Sequence, residues 1–101
     1  MFEKKDIIYS ETIGVCRVDD ITKLTQKKGD TIAYYVLRSV ENKEKVAYIP
    51  VDKHIVNLRN LIDYDEAKEM KEKLTKDDSS LKKFEINYVL ETAARANAQG
   101  R

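Results

Sequence analysis

The chain contains no tryptophan, one cysteine, one histidine, one proline and three glycines among its 101 residues. Each shortage excludes a class of chemistry. A lone Cys16 allows no intrachain disulfide, so nothing supports a secreted, disulfide-stapled fold. One cysteine and one histidine do not supply a zinc ligand set. Gly14, Gly29 and Gly100 stand too far apart for a phosphate loop or a dinucleotide fingerprint, and no calcium-loop pattern occurs. No cofactor is expected. No apolar run approaches the roughly 20 residues needed to cross a bilayer. The charged opening Met1-Phe2-Glu3-Lys4-Lys5-Asp6 does not resemble a signal peptide, so the expected compartment is the cytoplasm and no membrane partner is expected.

Charge of one sign is also missing. Nineteen Lys and Arg nearly balance eighteen Asp and Glu. Residues 1–62 carry eleven basic and nine acidic residues, and residues 63–101 carry eight and nine. Neither part is the polycation that sequence-independent nucleic-acid binding usually requires. With 42% apolar residues, the chain is rich enough to fold around one modest core.

The first part reads as short strands between turns. Ile7-Ile8-Tyr9 is a brief apolar run, interrupted by Ser10-Glu11-Thr12 before Gly14. From Val15 to Leu24 the pattern is mixed, and its β-branched content and the Asp19-Asp20 pair favour a bent or bulged strand. Residues 25–30 form a polar hairpin loop in which Gly29 is available for a positive φ. Thr31 to Val40 is the clearest strand, and its unbroken apolar run predicts cover on both faces. Glu41 to Lys45 forms a second loop. Val46-Ala47-Tyr48-Ile49 then returns as a strand that Pro50, lacking an N–H, ends or confines to an edge.

After residue 62 the period changes. Asp63 and Glu66 stand at capping-box spacing with Ile62 and Ala67 at staple positions, which predicts a helix that carries Ala67, Met70 and Leu74 on one stripe and ends near Lys73 or Leu74. Residues 76–80 are a polar break. A second helix is expected from Leu81 to about Ala98, apolar on more than one face. The fold class is therefore α+β: a mainly β N-terminal domain over 1–62, a small Tudor-like or SH3-like antiparallel sheet or barrel, then a short helical region over 63–101 with one or two helices. So small a sheet leaves edges, and an uncovered edge invites a strand from another protein.

Candidates for chemistry are few. Cys16 with His54 is the sole nucleophile and base pairing on offer, and a buried thiol with a histidine in a polar turn is the stronger reading. No catalytic residue or metal ligand is assigned, and the chain is expected not to be an enzyme. Asp19-Asp20 and Asp77-Asp78 read as loop solvation or capping. Lys27-Lys28, Lys43 with Lys45, and Lys82-Lys83 are basic clusters whose ordinary role is solvation beside strands and helices. Of these, Lys82 and Lys83 are kept as candidates for nucleic-acid contact.

Three segments, Tyr34-Tyr35-Val36-Leu37-Arg38, Tyr48-Ile49-Pro50-Val51-Asp52 and Leu58-Arg59-Asn60-Leu61-Ile62, occur in that order before Glu66-Ala67. Met1-Phe2, Asp6, Tyr9 and Gly14 precede them. Over about residues 1–74 this arrangement resembles the CarD family of bacterial transcription regulators, in which the third segment is a turn. The resemblance implies a domain that docks on the β subunit (the β lobe) of bacterial RNA polymerase by pairing an edge strand, and modulates initiation. Carried onto this sequence, the docking residues are Lys23 and Leu24 with Val46, Ala47, Tyr48 and Ile49. Some relatives place arginine where Tyr48 and Leu24 stand. Beyond residue 74 the chain departs from the family, whose longer helical domain contacts promoter DNA with a tryptophan wedge. Contact with promoter DNA is expected here only within the polymerase complex. Transcription-repair coupling factors carry a similar domain, but these 101 residues hold no helicase motor. The alternatives are an SH3-like module not acting on polymerase, whose second helix forms homo-oligomers or grips a different protein partner, and a nucleic-acid-binding barrel.

Overall fold

A computed structural model of the chain describes residues 2–25, 29–52 and 56–99, with side chains through residue 95. Lys27, Lys28 and His54 lie outside the described residues. The chain divides into two compact units, Met1–Asn60 and Leu61–Arg101.

In the first unit the described residues form five antiparallel strands: β1 (Ile7–Ser10), β2 (Gly14–Thr25), β3 (Thr31–Ser39), β4 (Val46–Pro50) and β5 (Leu58–Asn60). The sheet order is β4-β3-β2-β1-β5, a meander whose last strand returns to pair with the first. Gly14 and Gly29 take φ of 79° and 86° where the chain turns into β2 and towards β3, a region that favours glycine. The bend expected in β2 is present as a register shift between Val18 and Asp20.

Two features differ from the sequence expectations. Leu58–Asn60 is a strand rather than a turn. It pairs with β1, Ile8 opposite Asn60 and Ser10 opposite Leu58. The Asn57 backbone N–H and side-chain amide both donate to the Glu11 carboxylate, at 3.1 and 3.2 Å, and fix this strand to the β1–β2 turn. Three residues are too short a run for their period to show in sequence. Secondly, the apolar run in β3 is not buried on both faces. Tyr35 and Leu37 are buried, whereas Ile32, Tyr34 and Val36 are half-buried. Strand geometry sends alternate side chains to opposite faces, and the two faces differ in cover.

The core lies on one face and comprises Ile8, Cys16, Val18, Tyr35, Leu37 and Ile49. Register explains the set, because Ile8 faces Cys16, Val18 faces Leu37 and Tyr35 faces Ile49. Phe2 packs against Tyr35 with the rings tilted by 60° and their centroids 5.8 Å apart, and its N–H donates to the Tyr35 hydroxyl at 3.2 Å. That bond satisfies the polar end of a buried aromatic.

The second unit holds α1 (Tyr64–Glu72) and α2 (Ser80–Gln99), which pack together. Asp63 caps α1 as expected, its carboxylate accepting from Glu66 N–H at 2.8 Å. Ala67 of α1 and Ile86 of α2 are fully buried. Glu85 is also buried, and its carboxylate accepts the Ile62 N–H at 3.0 Å. An ionisable residue in that position is invisible to an apolar-period reading. The molecule is thus an α+β protein, mainly β in its N-terminal part, with two helices following.

Candidate docking edge

Strand β4 stands at one end of the sheet order, and among the described residues β3 is its only partner. Two bonds fix which way its backbone faces. Ser39 N–H donates to Lys45 O at 3.0 Å, and Val51 N–H donates to Ala33 O at 2.9 Å. Between them Val46 lies opposite Arg38 and Pro50 opposite Tyr34. Backbone groups along an antiparallel strand alternate between its two sides. Ala47 and Ile49 therefore bond to β3. Val46 and Tyr48 direct N–H and C=O outward, and Pro50 directs a C=O outward with no N–H to offer. Pro50 sits where the absent donor costs the ladder nothing.

Side chains along this edge divide in the same way. Ala47 and Ile49 point to the core face. Val46 and Tyr48 are 38% and 60% exposed and point to the opposite face. Successive rows of that face place Tyr48 beside Val36, Pro50 beside Tyr34, and Leu24 beside Ile32. A depression of about 480 Å³ continues the face past Ile32, Tyr34 and Pro50. The result is a backbone edge bordered by an apolar and aromatic surface on which Tyr48 and the 50%-exposed Leu24 are the most open side chains.

Of the docking residues suggested by sequence, the structure brings Leu24, Val46 and Tyr48 to one face. Lys23, Ala47 and Ile49 belong to the other. Lys23 and Leu24 are not on the β4 edge, since they sit across β3, about 10 Å away at ordinary strand spacing. Leu24 bonds to β3 opposite Ile32, while the Lys23 backbone faces away from β3. Lys82 and Lys83 belong to the first turns of α2 and are half-buried. Lys82 pairs with Asp78 at 3.2 Å.

Sequence reasoning missed a charged clamp at the far end of the same face. Arg17 and Arg38 lie directly opposite each other in β2 and β3. Like charges so placed repel, and Asp19 answers both. Its two carboxylate oxygens meet Arg38 Nε at 2.6 Å and Arg17 Nε at 2.8 Å. The register shift at Val18/Asp20 lifts Asp19 out of regular pairing to reach them. The Arg38 and Arg17 hydrogen bonds hold the Asp19 carboxyl below its usual range. Lys4 similarly lowers Asp20 through an ion pair at 3.1 Å, helped by the Ile21 N–H. Asp78 is lowered by the Thr75 N–H and then by Lys82. The signal for the clamp was present as Arg17-x-Asp19, two charges at strand spacing. The partner Arg38 required the register.

Burial pushes the Cys16 thiol up to about 12, so it acts as a small apolar side chain in the core. Among the described residues no group of three His, Cys, Asp or Glu side chains could hold a metal ion, and no helix is long and apolar enough to cross a membrane.

Fold and edge together define a small α+β protein with a five-stranded antiparallel sheet in which, among the described residues, the terminal strand β4 pairs on one side only. Compared with protein-family models, curated proteins and solved structures, the chain matches none of them.

Proposed function

We propose that the chain is a binding protein that accepts a strand from a partner on the outer side of β4, and that this partner is the β subunit of bacterial RNA polymerase, through which it modulates transcription initiation. The outward N–H and C=O groups of Val46 and Tyr48 carry the proposal, beside exposed side chains that an added strand would cover. Backbone pairing supplies affinity in such complexes, and the flanking side chains supply selectivity. The choice of polymerase rests on the CarD-like order of the Tyr34–Arg38, Tyr48–Asp52 and Leu58–Ile62 segments. Tyr48 and, roughly, Leu24 stand where some relatives place arginine, so these two positions of the docking face are apolar and aromatic, and their contribution to affinity depends weakly on salt.

Amide hydrogen exchange tests the reading. Adding the polymerase β lobe should slow exchange at Val46 and Tyr48, whose amides face outward, and leave Ala47 and Ile49, already bonded to β3, nearly unchanged. Protection spread evenly over all four, or absent from Val46 and Tyr48, would exclude strand addition at this edge.

A further inference from the structure

On the same sheet face, in the row next to that of Tyr48, Ile7, Arg17, Arg38, Val40 and Lys43 line a depression of about 290 Å³. Register accounts for its floor, because Ile7 lies opposite Arg17, and Arg17 opposite Arg38. Lys43 comes from the β3–β4 loop, held there by Arg38 Nη1 donating to the Lys43 carbonyl at 2.6 Å. Glu41 and Glu44 belong to the same loop but do not line the depression.

The arginines reach Asp19 through Nε alone. That contact fixes the orientation of both guanidinium groups. It leaves both Nη groups of Arg17 and Nη2 of Arg38 as donors without a partner among the described residues. Three cations against one carboxylate give the depression a local charge of about +2, in a setting where oriented guanidinium groups make short, strong bonds to oxyanions. Asp19 therefore positions the cations without neutralising them.

We propose that this depression binds a phosphate monoester group. A monoester dianion matches the local charge, and its three terminal oxygens match three cations drawn from β2, β3 and the loop. A carboxylate offers two oxygens and half the charge. Ile7 and Val40 provide apolar wall for the carbon next to the ester oxygen. The case for this site does not rest on strand addition at β4, although Arg38 lies opposite Val46 of that strand.

The test is an NMR titration of the full chain with inorganic phosphate and with phenyl phosphate, at constant ionic strength made up with chloride. Saturable shifts are expected at Arg17, Arg38 and Lys43, including the arginine Nε–H signals. Arg17→Gln and Arg38→Gln should each weaken binding about tenfold or more, the scale of one charge-assisted hydrogen bond. Lys73→Gln, which alters a cation paired with Glu69 in the other unit, should leave it unchanged. Binding of phenyl phosphate should strengthen between pH 5 and 7.5 as the monoester takes its second charge near pH 6. Tighter binding of phenyl phosphate than of inorganic phosphate supports an ester ligand, and equal binding supports free phosphate in the same site. Shifts that grow linearly without saturating, or saturation unaffected by both arginine variants, would overturn the proposal. Retained chemical-shift dispersion in either variant secures the comparison against loss of fold.

Discussion

Ala47 and Tyr48 are neighbours in β4 whose backbone groups face in opposite directions, those of Ala47 to Leu37 across the ladder and those of Tyr48 away from β3. One residue of register thus separates a position that holds the fold from one whose backbone groups face away from β3.

Proline distinguishes the two. Tyr48→Pro removes an outward donor and should lower stability by less than about 1 kcal/mol, as proline is tolerated on edges. Ala47→Pro removes a ladder bond and leaves the Leu37 carbonyl unmatched inside the sheet, costing about 1–3 kcal/mol. Urea unfolding of both variants measures this, and equal losses would contradict the register.

The two sheet faces should respond differently to truncation. Leu37→Ala empties a fully buried site and should cost about 2–5 kcal/mol. Val36→Ala, next in sequence but half-buried on the other face, should cost about 1 kcal/mol or less. Denaturant midpoints at constant m-value give the comparison.

Much of this architecture was legible in sequence. Residue type marked β3 and β4, Gly29 and Pro50 marked their ends, and Asp63 with Glu66 marked the start of α1. What was not legible depends on partners distant in sequence. β5 is a strand because β1 lies beside it. The Arg17, Asp19 and Arg38 clamp exists because strand pairing sets Arg17 opposite Arg38 and a bulge lifts Asp19 out of the ladder to meet both. Likewise, Lys23 and Leu24 are adjacent in sequence but serve opposite faces, and no local pattern places them relative to β4.

Acid should weaken the clamp. The Asp19 carboxyl is held below its ordinary range by Arg38 and Arg17, so its contribution is present above the unfolded carboxylate pKa and lost as pH falls through the folded value. Asp19→Asn should therefore be less stable than the parent at pH 7, by no more than about 1 kcal/mol for so open a cluster. The difference should vanish in strong acid. Stability curves of the two proteins from pH 7 downward check the sign, and a gap that widens in acid would contradict it.

Cys16 should be inert in the folded chain. A fully buried thiol raised to about 12 has almost no thiolate at pH 8. Labelling by iodoacetamide should proceed only at the rate and extent of opening of the sheet, and should accelerate in parallel with unfolding in urea. Rapid labelling in native buffer would show that the core around Ile8 and Leu37 is open.

Binding of the isolated RNA polymerase β lobe by the wild-type chain and by Tyr48→Pro, titrated at low and at moderate salt, tests the central claim most directly. Strand addition at β4 predicts wild-type binding that survives moderate salt and is lost in a Tyr48→Pro variant that remains folded. Equal binding by the two chains, or no wild-type binding at either salt concentration, would contradict it.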